Sequence, residues 1–263
     1  MDPEPVPVSL GTWPTPVEPA PRLAAAAGRG CSAARLGLRA VLVLGGEQHA
    51  PSQGNLALDH LAGARLAWLP GATPERLRDE VERQAQQVRD DGGVPFVIPF
   101  GGSSSFSARG YADCGAELLD QLPVIDHVVV AFGSGGTMAG LVASLGAERV
   151  IGIDTGAVAG PRATLSELLD GMPGVAVRRA DLRIDGGQVG AGYAALTPDA
   201  AAAMRLAARS EGIFLDPTYT ARALAGLIAC VADGRIGHRD RTVFLHTGGL
   251  PGLFGHPALP QLV

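Results

Sequence analysis

Residues 128–141 read Val-Val-Val-Ala-Phe-Gly-Ser-Gly-Gly-Thr-Met-Ala-Gly-Leu: a β-branched run, a cluster of glycines with two hydroxyls, then helical spacing. Residue types in that order suit a phosphate. Glycines let the backbone approach an anion closely, the first amides of a helix have no partner within it, and the helix dipole favours negative charge there. Gly133, Ser134, Gly135, Gly136 and Thr137 are therefore the candidate anion-binding residues, with the Ser134 and Thr137 hydroxyls as added donors. An ordinary strand-to-helix turn uses the same glycines and stays open as an alternative. No Lys follows, so the segment is not a Walker loop, and the glycines miss the G-x-G-x-x-G spacing of dinucleotide folds. What remains is a phosphate-bearing cofactor such as pyridoxal phosphate, whose ring needs contacts elsewhere in the chain.

Other reactive side chains are sparse. His49 beside Glu47 is a potential ligand pair, but no third ligand stands at a useful spacing, so residues 45–55 read as a solvated loop and no metal site is expected. Cys31, Cys114 and Cys230 are odd in number and irregular in spacing, which suits reduced thiols in a cytoplasmic protein. All 21 basic residues are Arg: the 263 residues contain no lysine. No side chain here can form an imine with an aldehyde. Against 26 acidic residues the net charge is −5 with no basic block, which argues against nucleic acid as a partner. No apolar run approaches the ~18 residues of a membrane span. Residues 1–21 are acidic and proline-rich, unlike a signal peptide, so a cytoplasmic location is expected.

The elements that must carry these residues alternate. Strands are predicted at 40–44, 65–69, 95–99, 128–132, 149–154, 213–217 and 242–245, and helices at 56–61, 74–91, 163–169, 199–210 and 218–233. Further helices end near 122, follow residue 137 and close the chain, while 185–193 is an irregular glycine-rich passage. Thr73-Pro74 and Thr197-Pro198 each supply a capping hydroxyl and a proline at a helix start. Alternation of this kind predicts an α/β fold with open parallel sheets and flanking helices. Ligands in such folds sit beyond the carboxyl ends of strands, where the loops at Gly101, Gly133 and His246 fall.

Six motifs then add up: Gly54-Asn55-Leu56-Ala57-Leu58-Asp59, Gly101-Gly102-Ser103-Ser104, Gly133-Ser134-Gly135-Gly136-Thr137, Gly190-Ala191-Gly192-Tyr193, Leu215-Asp216-Pro217-Thr218-Tyr219-Thr220 and His246-Thr247-Gly248-Gly249. In order and spacing they resemble the D-cysteine desulfhydrase and 1-aminocyclopropane-1-carboxylate deaminase family, enzymes of the fold-type II, tryptophan synthase β-like architecture. The resemblance implies pyridoxal phosphate as cofactor, a small amino acid as substrate and a homo-oligomer. It implies that residues 133–137 hold the cofactor phosphate, together with His246, Thr247 and Gly248 in the cofactor-binding set. Tyr219 would lie against the ring, Thr220 would face its nitrogen and Tyr193 would approach the substrate. Thr220 stands where the deaminase branch has Glu, so the chain looks like the desulfhydrase branch, which eliminates pyruvate, ammonia and sulfide from D-cysteine. From the residues alone, Tyr219 as core and Tyr193 as a packed loop aromatic stay open.

One departure is large. Between residues 21–23 and 33–38 the family has a strand, a loop whose lysine carries the cofactor, a helix, another strand and a Ser-Asn-His loop for the substrate carboxylate. Here residues 28–32 replace all of it, an absence of at least one βαβ unit, roughly 30 residues or more. Arg222, where the family often has Lys, does not form the imine. The expectation is a first domain left incomplete: an arm over 1–30, a remnant of the small α/β domain over 31–100 and a cofactor-phosphate domain over 101–263. Cofactor binding is expected to be noncovalent at best and activity impaired or absent, with His246 or Tyr193 left to move a proton. The alternatives are a noncatalytic phosphate-binding or interaction protein, or a decayed coding sequence. Residues 41–44 and 96–98 would lose their neighbours, which predicts poor solubility or an oligomer that covers them.

Overall fold

Val41–Gly45 (β1) and Arg65–Leu69 (β2) are short apolar runs joined by Asn55–Leu61 (α1), and they pair in parallel with Val41 opposite Arg65 and Gly45 opposite Leu69. The computed structural model describes residues 37–47 and 53–262. The proposed arm over 1–30, Cys31, the shortened stretch 28–32 and His49 lie outside the described residues. Pro74–Asp90 (α2) starts as its sequence predicts: Pro74 holds the first position and the Thr73 hydroxyl accepts the Arg76 amide at 3.4 Å. Leu77 of α2 covers Gly45 of β1.

The second sheet carries the larger core. In chain order come Arg109–Gln121 (α3), His127–Phe132 (β3), Gly136–Leu145 (α4), Val150–Asp154 (β4), Pro161–Asp170 (α5), Arg183–Asp185 (β5), Pro198–Glu211 (α6), Thr220–Ala232 (α7), Thr242–Phe244 (β6) and Leu250–Gly255 (α8). The strands pair in parallel in the order β5-β4-β3-β6, with Val128 opposite both Val150 and Val243. Val128, Val129 and Val130 are fully buried, as a central parallel strand covered on both faces must be. Val128 and Val130 face the α3–α4 side with Leu141 and Leu145; Val129 faces α7 with Ala223 and Ile153. Close approach sets these contacts: a Cβ on Gly140 would lie 2.1 Å from the Ala108 carbonyl oxygen.

Three predicted elements differ. Residues 95–99 form no strand, since Pro95 and Pro99 lack N–H groups and no strand among the described residues pairs with them; Val94 is 97% and Phe96 83% exposed. Residues 213–217 are not a strand either, because the Ile213 amide turns back to the Ala207 carbonyl and the Asp216 side chain gathers the amides that follow. The passage read as irregular is preceded by an unpredicted strand, β5, which ends at Asp185 and is too short to carry a period-2 signal. No helix among the described residues is long and apolar enough to cross a membrane.

Candidate functional site

Parallel pairing brings the carboxyl ends of β3, β4 and β6 together, with Phe132 opposite Asp154 and Val129 opposite Phe244. The loops that leave them, starting at Gly133, Thr155 and Leu245, therefore share one edge of the sheet. The first is the glycine loop. Gly135 takes the left-handed conformation at φ 93° and α4 begins at Gly136. The Gly136 amide donates to the Ser103 hydroxyl at 3.1 Å, and that hydroxyl lies 2.7 Å from the Ser134 hydroxyl. Among the described residues the amides of Ser134, Gly135, Thr137 and Met138 donate to no protein acceptor.

Tyr219 stands beside this loop. A Cβ on Gly133 would lie 3.1 Å from Cε1 of its ring, a contact tight enough that the ring would have to shift, so glycine there lets the strand end and Tyr219 lie close together. The Tyr219 hydroxyl hydrogen-bonds that of Tyr193, with ring centroids 6.0 Å apart and planes at 68°. Tyr193 is 49% exposed. The structure thus places both tyrosines, 26 residues apart, at the mouth of the glycine loop.

The turn that presents Tyr219 is organised by Asp216. Its carboxylate accepts the amides of Thr218, Tyr219 and Thr220 at 2.8 to 2.9 Å and the Thr220 hydroxyl at 2.8 Å. Thr220 in turn accepts the Asp216 amide at 3.0 Å. Its single proton is therefore directed at Asp216, and toward a ring nitrogen it has only a lone pair to offer. Gly249 packs on this carboxylate, where a Cβ would come within 2.5 Å of Asp216 Oδ1.

His246 is also committed. Its Nδ1 accepts the Gly248 amide at 3.2 Å, so Nε2 carries the proton and donates to the Phe214 carbonyl at 3.2 Å. With both nitrogens engaged, His246 holds the loop. Thr247 and Gly248 are exposed on the same loop. Cys114 and Cys230 are free thiols, both pushed up in pKa chiefly by burial, which makes them poor nucleophiles.

The residues present fit one end of pyridoxal phosphate and not the other. Unpaired amides at a helix N-terminus, two nearby hydroxyls and an aromatic face suit its phosphate and ring. Nothing suits its aldehyde: the chain has no lysine, and Arg222 is buried, donating to the carbonyls of Thr155, Gly192 and Ala195. Ser103, Asp216 and Arg222 are residues whose hydrogen bonds shape this region and to which sequence reasoning gave no such task. Asp-Pro-Thr-Tyr-Thr carries a visible turn signal for Asp216; Ser103 and Arg222 act across 33 and up to 67 residues and leave none.

The chain is similar to several known proteins. D-cysteine desulfhydrase of Klebsiella pneumoniae (strain 342) is 33% identical over 255 residues, covering 86% of this chain and 74% of that protein. A Pyrococcus furiosus protein whose name provisionally reads 1-aminocyclopropane-1-carboxylate deaminase is 33% identical over 236 residues, covering 86% of this chain and 70% of that one. The crystal structure of an ACC deaminase homologue superposes with a TM-score of 0.76 at 31% identity, over 89% of this chain and 73% of that one. The family model described as pyridoxal-phosphate dependent enzyme matches residues 25–248, and the chain belongs to that family.

Proposed function

We propose that this chain binds pyridoxal phosphate without covalent attachment and does not turn over D-cysteine at an enzyme's pace. The family is one of pyridoxal-phosphate-dependent lyases with amino acid substrates. The observation that carries the proposal is the pairing of a retained anion loop with a complete absence of lysine. When bound, the cofactor supplies an electron sink for an amino acid. What this chain's residues do is narrower. Residues 133–137 bind the phosphate, Tyr219 lies against the ring with Tyr193 bonded to its hydroxyl on the substrate side, and His246 and Asp216 hold the loops around it.

The test is a titration of the purified protein with pyridoxal phosphate, followed by borohydride reduction and peptide mapping, with D-cysteine turnover assayed by sulfide and pyruvate. Expected are saturable binding, full recovery of unmodified peptides and no turnover. A reduced adduct on an internal residue, or turnover near the ~10 s⁻¹ of an ordinary enzyme, overturns the proposal.

A second reading, that the chain works as an interaction protein, is favoured by one observation. Val94, Phe96, Ile98, Phe100 and Phe106 are all exposed, a run of apolar surface that self-association would cover. A concentration-independent monomer in sedimentation velocity counts against it.

A further inference from the structure

The guanidinium of Arg222 is fully buried at the start of α7, and its hydrogen bonds run to backbone carbonyls rather than to a carboxylate. We infer that Arg222 is the positioning residue that sets Tyr193, and with it the aromatic wall of the site; this rests on the cofactor binding proposed above. Nη1 donates to the Thr155 carbonyl at 2.6 Å; Nη2 donates to the Gly192 carbonyl at 2.8 Å and to that of Ala195. Nε is buried with no partner.

A buried cation bonded only to neutral carbonyls is an expensive way to stabilise a fold, because desolvation opposes it and an apolar side chain of similar volume does better. Burial accordingly lowers the Arg222 pKa, opposed by the charges of Asp154 and Asp216. What the arrangement does achieve is a fixed loop. Thr155 is itself fastened to β3, since its amide and hydroxyl both donate to the Phe132 carbonyl, at 3.1 and 2.9 Å. Arg222 therefore ties the 190–195 loop to the strand that leads into the glycine loop.

That loop needs such a tie. Gly190 and Gly192 have φ of 61° and 133°, and Ala194 sits at φ 64°, the one described non-glycine residue at positive φ. A conformation of that kind persists only where its surroundings impose it. Arg222 holds the carbonyls of 192 and 195 from inside, and His256 Nε2 donates to the Ala194 carbonyl at 2.8 Å from outside. Tyr193 stands between these clamped carbonyls, and its hydroxyl meets that of Tyr219. A planar fork spans carbonyls on two segments in one rigid geometry, whereas a lysine ammonium gathers its three donors at a single nitrogen.

The experiment compares binding of pyridoxal phosphate and of inorganic phosphate, by titration calorimetry, in wild type, R222K, Y193A, R222K/Y193A and H256Q. Arg222→Lys and Tyr193→Ala should each weaken pyridoxal phosphate about tenfold, the worth of one placed aromatic contact. Inorganic phosphate should be held as before, and the double variant should bind no worse than Y193A, because both changes remove the same contact. H256Q leaves the buried charge intact and should weaken pyridoxal phosphate in the same direction, which decides the matter if R222K fails to fold. Unchanged ring binding in the variants, equal losses for both ligands, or additivity in the double variant overturns the inference while leaving the cofactor reading standing. Wild type that binds neither ligand overturns both.

Discussion

The hydroxyl oxygens of Ser103 and Ser134 lie 2.7 Å apart although 31 residues separate them, and Ser103 also accepts the Gly136 amide at 3.1 Å. The loop after residue 99 thus caps the helix that presents the anion site. Gly101 makes this possible: at φ +69° it passes so close that a Cβ would meet Ser134 Oγ at 1.9 Å. Ser103→Ala removes a hydrogen bond worth about 1 kcal/mol and unlocks the Ser134 hydroxyl. Denaturant unfolding should show a loss of that size, and phosphate titration a several-fold weaker affinity.

Gly140 and Gly110 make a controlled pair. Both sit in helices, where Gly→Ala alone gains up to ~1 kcal/mol. At Gly140 a new Cβ would meet backbone atoms that cannot swing aside, the Ala108 oxygen at 2.1 Å and the Ala112 nitrogen at 2.7 Å. Overpacking of that kind costs about 1–3 kcal/mol and outweighs the propensity gain, so Gly140→Ala should lower the unfolding midpoint. Gly110 has nothing within 4 Å, and Gly110→Ala should raise it.

Acid should weaken the α2 unit through Glu80. Hydrogen bonds from Arg83 and Gln84 hold its carboxyl down, from 4.5 to about 2. The folded protein keeps Glu80 ionised while the unfolded chain takes up a proton below 4.5, so its contribution is complete above that pH and is lost as pH falls toward 2. Glu80→Gln should lower thermal stability at neutral pH and flatten its loss across that window, so that the two proteins converge as pH falls toward 2. Thermal melts of both proteins between pH 5 and 2 check this.

Much of the scaffold was legible because its signals are local. The buried β-branched run of β3, the Thr-Pro starts of α2 and α6 and the glycine turn before α4 each specify themselves within a few residues. Residues 95–99 were misread for the opposite reason. Phe96-Val97-Ile98 has strand composition, but a strand also needs a neighbour, and that depends on chain elsewhere. The site divides the same way. Glycines and tyrosines announce a cradle and a ring wall, whereas the tasks of Ser103, Arg222 and His246 follow only from which carbonyls and amides the fold sets beside them.

Restoring the absent unit tests whether the rest of the site is sound. The corresponding segment of the Klebsiella pneumoniae desulfhydrase, where the family resemblance implies a strand, lysine loop, helix, strand and carboxylate loop, would replace residues 28–32. If Tyr193, Tyr219 and the 133–137 loop retain the geometry a desulfhydrase needs, the graft should release sulfide and pyruvate from D-cysteine at least ~10³-fold faster than the parent chain. Changing the grafted lysine to alanine should abolish that gain. The graft should also cover Phe96 and Ile98, now exposed, and so reduce concentration-dependent association in sedimentation velocity. A graft that folds and binds cofactor yet stays silent would place the defect in this chain's own residues. Thr220 is the first to examine, because its proton is already given to Asp216.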